Sequence, residues 1–461
     1  MKTFSINTLG CKVNQYESQQ IRQFLENLGL KNLEKPQKKP DLIVTNTCCV
    51  TLSASAKSRQ YIRKAQRLSP NAAIVVCGCM PIIQTSDLNK LGENVHLITE
   101  RETLAQTLNK IVNGKAAGFD YKKPQTCLDN PIKPENDPEI KSKTKLPNPL
   151  ETAPLTSFKG HTRAFLKIQD GCDGYCTYCI IPKTRPFVHS KPAKTVLQEA
   201  QQLVAAGHKE IVLTGIFLGS FGQKTVRRRN WPNGQNDKLP SLLQKLAKIP
   251  NLARIRLSSL EPADVTKTLL DVFCKNPNIM PHLHLSLQSG SDKILKKMAR
   301  QYTTDEFMDK IELIKSRLAR PAITADFIVG FPGEMDSDFQ QSISLARQVG
   351  FAKMHVFSFS ARDGTAAAAM QDTVNPKVIK QRSKILRDLG TELAGKFREQ
   401  FISRTATILT ENSNGQIAGR SERYFMVQLD KKDQHYQANQ LLKVKLIENN
   451  KNAILATSAH D

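Results

Sequence analysis

The chain has 461 residues, 39% of them hydrophobic, and its 67 Lys and Arg against 42 Asp and Glu give a formal charge of +25. That length exceeds one ordinary hydrophobic core, so two to four domains are expected. No apolar run approaches the ~20 residues of a membrane span, the first residues lack a signal-peptide pattern, and the positive excess favours a polyanionic partner, nucleic acid first. The expectation is a cytoplasmic protein.

Taken in chain order, residues 1–120 read as βαβαβ. "TFSINTL", "DLIVTNT" and "AAIVVCG" are strands, and "NQYESQQIRQFLENLG" and "LSASAKSRQYIRKAQRL" are amphipathic helices. This predicts a parallel sheet with helices on its faces. Residues 121–157, rich in Pro, Lys and Asp or Asn, form the expected linker. A second αβ series over 158–392 offers six strands: "AFLKIQD", "EIVLTGI", "ARIRLSS", "HLHLSLQ", "AITADFIV" and "AKMHVFSF". It predicts a partial (βα)6 barrel. The basic stretch "GQKTVRRRNWPNGQND" interrupts that series, either to touch phosphate or as a solvated loop. From 393 to 461, after a long helix, four short strands predict a small antiparallel β-barrel, an architecture often used on nucleic acids.

Ten cysteines in a chain without a secretory pattern point to metal ligation or reactive thiols rather than disulfides. In "DGCDGYCTYCIIP", Cys172, Cys176 and Cys179 follow the first barrel strand at C-x3-C-x2-C spacing. Iron–sulfur cubes take one thiolate per iron, so three cysteines leave one iron open, as a catalytic metal site requires. A zinc site closed by a distant histidine is the alternative. Cys11, Cys48 and Cys79 end three successive strands of the first domain, and in a parallel sheet all such ends lie along one edge. They read as a second three-cysteine cluster site. Cys49 and Cys77 adjoin this set, and Cys77 also reads as a small core residue.

The C-x3-C-x2-C signature resembles the radical S-adenosylmethionine (SAM) superfamily. "LGCKVNQYES", "TNTCCVT", "VVCGCM", "LTGIFLGSFG", "RLSSLEP", "HLHLSLQSGSD", "ITADFIVGFPGE" and "FSFSARDGTAAAAM" together look like a methylthiotransferase of that superfamily, along nearly the whole chain. The resemblance implies a radical-SAM barrel, a C-terminal barrel of the TRAM type, two 4Fe-4S clusters and SAM. It selects Cys48 over Cys49 and Cys79 over Cys77. It further implies that SAM chelates the open iron at Cys172, Cys176 and Cys179, the catalytic cysteines. The radical formed there removes an aromatic hydrogen, and methylated sulfur is delivered from the Cys11, Cys48, Cys79 cluster.

Within the family the chain looks most like enzymes acting on C2 of N6-threonylcarbamoyladenosine, beside the anticodon in the tRNA stem-loop. Isopentenyladenosine in tRNA and a ribosomal-protein aspartate are the alternative substrates, and a non-catalytic cluster-bearing RNA-binding protein is the rival class. An electron donor is implied; the residues name no sulfur donor. By the same resemblance Tyr178 lies beside the adenine, unless it merely packs. Thr214 and Gly215 sit at the rim where the SAM amino group is held, unless they only form a turn. Ser259, Gln288 and Ser289 also end strands, and their place on the rim makes Ser259 and Gln288 candidate cofactor-binding residues. Asp326 and the "GFPGE" loop belong to the adenosine region, unless its glycines only form a tight turn, and Arg362 and Thr365 face substrate. His282 and His284 alternate on one strand and neither is assigned. Pro186, His189 and Phe217 depart from the family pattern, whereas Arg185 keeps it.

Overall fold

The computed structural model describes residues 1–33, 39–83, 92–114, 153–231, 238–413 and 415–459. Most of the expected linker and Cys127 lie outside them. Packing divides the chain into two units, 1–155 with 362–364, and 156–361 with 365–461.

The first unit is a five-stranded parallel sheet. Its strands are β1 (Thr3–Thr8), β2 (Lys31–Asn32), β3 (Leu42–Thr47), β4 (Ala73–Gly78) and β5 (Val95–Leu97), in the order β2-β1-β3-β4-β5. β2 and β5 extend the predicted three strands; two or three residues are too short to carry a readable alternation. Helices α1 (Lys12–Asn27), α2 (Leu52–Leu68) and α3 (Leu104–Val112) flank the sheet. α1 turns back at Gly29, whose φ of +85° suits a residue without Cβ. Phe4, Ile21, Leu25, Leu42, Val44, Val75 and Leu108 make the core. β3, buried at all six positions, is its centre, as expected of a parallel strand covered on both faces.

In the second unit, β6 (Ala164–Asp170), β8 (Glu210–Gly215) and β9 (Arg254–Leu257) pair in parallel, and the two-residue β7 (His189–Ser190) adds antiparallel to β6. A second sheet orders β10 (Ser259–Leu260), β11 (His282–Gln288), β12 (Ala322–Val329) and β13 (Lys353–Ser358), again in parallel. Only Ser258 separates β9 from β10, so the two sheets form one curved, six-unit αβ arc. Among the described residues no pairing joins β13 to β6, and the arc stays open. Helices α4 (Ala193–Ala205), α5 (Lys238–Leu246), α6 (Lys267–Lys275), α7 (Thr304–Arg317) and α8 (Asp336–Val349) intervene between strands. The partial (βα)6 expectation is met.

The 24-residue α9 (Pro376–Glu399) leads into a closed five-stranded barrel. Its strands are β14 (Thr405–Ser413), β15 (Gln416–Ser421), β16 (Met426–Leu429), β17 (Leu441–Asn449) and β18 (Ile454–Ser458). Two details correct the sequence reading. β15 was not among the four predicted strands, because "QIAGRS" alternates weakly and contains glycine. The barrel is also not wholly antiparallel, since β16 and β18 close it in parallel. Ile408, Val427, Val444, Leu446, Ile454 and Ala456 fill it.

This barrel is bolted to the αβ arc by charge. Arg254 donates to the carbonyls of Arg420 (2.8 Å) and Thr407 (2.6 Å), and Arg256 to those of Glu422 (2.8 Å) and Ser421 (2.6 Å). Glu210, at the start of β8, sits 2.9 Å from Arg256 and 3.5 Å from Arg254.

Candidate functional site

The Cys172 loop leaves β6 through Gly171, whose φ is +80° and where a Cβ would lie 1.8 Å from the Phe187 carbonyl oxygen. Only glycine fits there. The buried Asp170 carboxylate accepts from the Gly171 amide (2.8 Å), from Lys167 Nζ (2.8 Å) and with both oxygens from Arg185 Nη1 (2.7 Å). The Arg185 carbonyl in turn accepts the Cys172 amide at 2.9 Å. Arg185 therefore braces the cysteine loop from beneath, and β7 keeps its place with His189 paired to Asp170. Gly171→Ala is expected to misplace Cys172 and roughly halve the iron bound after anaerobic reconstitution, with helical circular dichroism unchanged; left-handed strain alone costs about 1–2 kcal/mol.

The basic insertion braces the same loop from the side, a role outside both readings of it from sequence. Asp173 accepts from Thr225 Oγ1 (2.6 Å) and the Val226 amide (2.8 Å), and Arg227 lies 4.0 Å over the Tyr175 ring. Residues 232–237 of that insertion lie outside the described residues. Phe217, one of the departures, keeps its backbone amide on Gln169 Oε1 at 2.7 Å, with Arg228 over its ring at 5.8 Å.

The three thiols come together in the loop. The Cys172 sulfur accepts the Gly174 amide (3.4 Å), and the Cys179 amide donates to the Cys176 carbonyl (3.0 Å). Arg300 Nη1 donates to Cys176 Sγ at 3.2 Å. Arg300 is itself held by Glu261, by the Ser286 carbonyl (3.3 Å) and by Tyr302 (3.2 Å), whose hydroxyl donates to Ser286 and Leu287 carbonyls. Burial pushes Cys172 up to about 12 and, aided by Cys176, Cys179 to about 12. Such thiols need added positive charge to ionise, and the irons of a cluster supply it. Among the described residues no three His, Cys, Asp or Glu side chains draw tightly around one ion. Three thiolates in one loop are the donor set for three corners of a cube with one iron left open.

Arg300 and Tyr302 had no sequence signal, and Glu261, though inside the quoted "RLSSLEP", was not singled out: they meet Cys176 only through the fold. Tyr178 packs against Ile294, Met298, Phe331 and Ala367, and burial pushes its hydroxyl well above the usual range. Around the rim, Thr214 is buried at the end of β8, and Gly215 lies against Gln169, where a Cβ would approach to 3.1 Å. Ser259 is exposed and pairs with His284 across β10 and β11. Gln288 ends β11 with φ +71°, a strained position next to the Leu287 carbonyl that Tyr302 holds. Ser289 is buried and its hydroxyl takes the Ser291 amide.

His284 is fixed by Asp326 (3.1 Å) and Thr324 (2.8 Å), with His355 edge-on at 5.3 Å; His282 instead stacks on Tyr424 at 4.7 Å. In the "GFPGE" loop, Glu334 accepts the Gly330 amide (2.8 Å) and is gripped by Arg382 (2.8 Å), so this glutamate ties the loop to α9. Arg362 is buried in the first unit, donating to Ser55 at 3.1 Å, whereas Thr365 belongs to the second.

The first unit also gathers its strand-end cysteines. Asn14 donates to the Leu9 (2.7 Å) and Thr47 (2.9 Å) carbonyls, and the Cys79 amide donates to Thr47 (3.0 Å), drawing the ends of β1, β3 and β4 together. A Cβ at Gly10 would lie 2.8 Å from Cys48 Cβ, so Cys11 follows a glycine that lets its loop rest on Cys48. Arg101 reaches Cys79 Sγ at 3.4 Å and Glu17 at 3.5 Å. Cys49 hydrogen-bonds Cys79, which, with burial, raises its thiol. Cys77 lies in the apolar core with Phe4 and Val75, and burial pushes it up to about 12, the behaviour of a packing residue. The donor set Cys11, Cys48, Cys79 fits a second three-thiolate cluster.

Comparison with known proteins agrees with these arrangements. The profile of the family described as "Uncharacterized protein family UPF0004" matches residues 3–100, and that of the radical SAM superfamily matches 166–346. The chain is 34% identical over 428 residues to the threonylcarbamoyladenosine tRNA methylthiotransferase MtaB of Thermotoga maritima, covering 92% of this chain and 90% of that one. It is 34% identical over 414 residues to the protein of the same name from Bacillus subtilis, covering 90% and 86%. The tRNA-2-methylthio-N(6)-dimethylallyladenosine synthase of Pelotomaculum thermopropionicum is 31% identical over 427 residues, covering 91% and 89%. Among solved structures, the radical SAM methyltransferase TsrM of Kitasatospora setae, with cobalamin and a [4Fe-4S] cluster bound, shares the fold at TM-score 0.52 and 12% identity over 78% and 75% of the chains. The two matched profiles, with relatives 34–35% identical along nine-tenths of the length, place the chain in the radical SAM methylthiotransferase family.

Proposed function

We propose that this protein is a tRNA methylthiotransferase that adds a methylthio group to C2 of N6-threonylcarbamoyladenosine next to the anticodon. The observation that carries the reading is the pair of three-cysteine donor sets, one in each packing unit, in a chain 34–35% identical to enzymes named for that nucleoside. With its cofactors bound, the Cys172, Cys176, Cys179 site supplies a carbon radical from SAM, which removes hydrogen from an aromatic C–H that no side-chain base can deprotonate. The chain's own part is placement. Asp170, Arg185 and Asp173 hold the loop, Arg300 sets Cys176, and the open rim of the arc admits SAM and the nucleotide. In the first unit Cys11, Cys48 and Cys79 would hold the second cluster, the one that would supply sulfur. An electron donor and a sulfur source complete the reaction.

Relatives acting on N(6)-dimethylallyladenosine are nearly as similar, at 31–32% identity. Mass spectrometry of tRNA nucleosides from cells with and without the protein separates the two. Loss of 2-methylthio-N6-threonylcarbamoyladenosine alone is the expected result. Loss of the methylthio isopentenyl nucleoside instead reassigns the substrate, and unchanged tRNA removes the reading.

No helix among the described residues is long and apolar enough to cross a membrane.

A further inference from the structure

Helix α2 carries five cations, Lys57, Arg59, Arg63, Lys64 and Arg67, and no acidic residue in 17 positions. Its inner face is Ser55, Ser58, Ile62 and Ala65. At 3.6 residues per turn, Lys57, Arg63, Lys64 and Arg67 fall on the opposite side. All four are exposed there, and among the described residues none has an ion-pair partner. On α9, where acidic residues stand four apart from lysines, Lys384 meets Asp388 at 2.7 Å and Lys396 meets Glu392 at 2.7 Å; α2 has no acidic residue to do the same. On α2, Arg63 and Arg67 stand four apart and repel, an arrangement that a bound polyanion relieves. Tyr61 lies among these cations, 42% exposed. The stripe runs about 15 Å from Lys57 to Arg67. The helix starts from its Thr51 cap, directly after Val50 and the Cys48–Cys49 pair.

We propose that the outer face of α2 is a contact surface for the sugar-phosphate backbone of the substrate tRNA, with Tyr61 stacking on an unpaired base. The proposal rests on the tRNA reading above. Unpaired cations interleaved with an exposed aromatic are what single-stranded RNA uses, charge tracking the backbone and the ring taking a base. A lipid surface needs a continuous exposed apolar stripe, whereas the exposed leucines of α2, Leu52 and Leu68, stand at its two opposite ends. An acidic protein would use the charge but leave Tyr61 without a base to stack on.

The test is salt-dependent binding of full-length protein to tRNA purified from cells lacking it. In Lys57→Gln/Arg63→Gln/Lys64→Gln/Arg67→Gln, glutamine preserves helix propensity, and circular dichroism checks the fold. We expect at least about tenfold weaker binding near 0.1 M salt. The slope of log K against log salt should fall by about 3–4, at ~0.7–0.9 for each of the four phosphates no longer neutralised. Tyr61→Ala should bind about tenfold more weakly with the slope unchanged. Wild-type binding with an unaltered affinity and slope in the quadruple variant overturns the proposal and leaves the methylthiotransferase reading standing. Unaltered tRNA binding together with slower reduction by an acidic flavin protein also overturns it, assigning the face to that donor. Failure of the wild type to bind tRNA overturns both.

Discussion

Cys176→Ala is expected to reduce the release of 5′-deoxyadenosine from SAM to background, while Cys48→Ala should leave that release intact and abolish methylthiolated tRNA. The dissociation follows from the two donor sets lying in separate packing units. Cys176 is the middle thiol of its loop and the one that Arg300 addresses at 3.2 Å, and alanine there leaves two sulfurs and removes the acceptor of Arg300 Nη1. Cys48 lies against Gly10, on the edge where β1, β3 and β4 end, and is positioned by residues of the first unit. Each variant should retain about half of the wild-type iron after anaerobic reconstitution. Cys77→Ala is the control. That side chain packs in the core, so its removal should cost stability, roughly that of a small cavity, without lowering iron. Methylthiolated tRNA from Cys48→Ala, or 5′-deoxyadenosine from Cys176→Ala, would show that the roles are assigned wrongly.

The legibility of this site in the sequence had a physical boundary. The grouping of the six cysteines was readable: one set is packed into eight residues, and the other sits at strand ends that parallel topology must align. What holds those thiols in place was not readable. Arg300 follows Cys176 by 124 residues and Arg101 follows Cys79 by 22, and nothing local distinguishes either from a surface arginine. The same holds for the basic insertion. "TVRRRNW" suggested phosphate or solvent, whereas Asp173 and Tyr175 convert its first residues into a brace. Charge alone could not show that, because the partners lie 52 and 53 positions away.

Fold reading failed in a similar place. β11 and β12 were predicted with their observed bounds because seven- and eight-residue strands show a full pattern. β15 was missed and the parallel closure of β16 on β18 was unreadable, since strand order in a barrel leaves no trace in local alternation. The sequence likewise placed His282 and His284 on one strand without distinguishing them. Register and the C-terminal barrel do so: one stacks on Tyr424, the other is fixed by Asp326.

Glu210→Gln should destabilise the second unit by about 3–5 kcal/mol, the cost of removing one partner from a buried ion pair. Glu210 is fully buried, 2.9 Å from Arg256, 3.5 Å from Arg254 and 4.0 Å from Arg163. Three guanidiniums thus share one anion, and Arg163, Arg256 and Arg420 also lie over the Tyr424 ring at 5.3, 5.1 and 4.6 Å. Glutamine keeps the shape but leaves three cations facing a neutral amide, in the place where the barrel is fastened to the arc. Unfolding in urea can be followed through Trp231, the chain's single tryptophan, which is buried in this unit. Burial works to raise the Glu210 carboxyl, but Arg256, Arg163 and Arg254 together outweigh it and hold it below the usual carboxylate range. A depressed folded-state value means that the stabilisation is complete above the unfolded pKa, about 4.3, and fades as pH falls through the folded value. The gap between wild type and Glu210→Gln should therefore be constant near neutrality and close in acid. Pairing Glu210→Leu with Arg256→Met should recover part of the stability, because apolar groups of similar volume can replace a buried pair. A destabilisation below about 1 kcal/mol, or a gap that persists unchanged to about pH 2, would mean that the barrel is held by its apolar packing and not by this carboxylate.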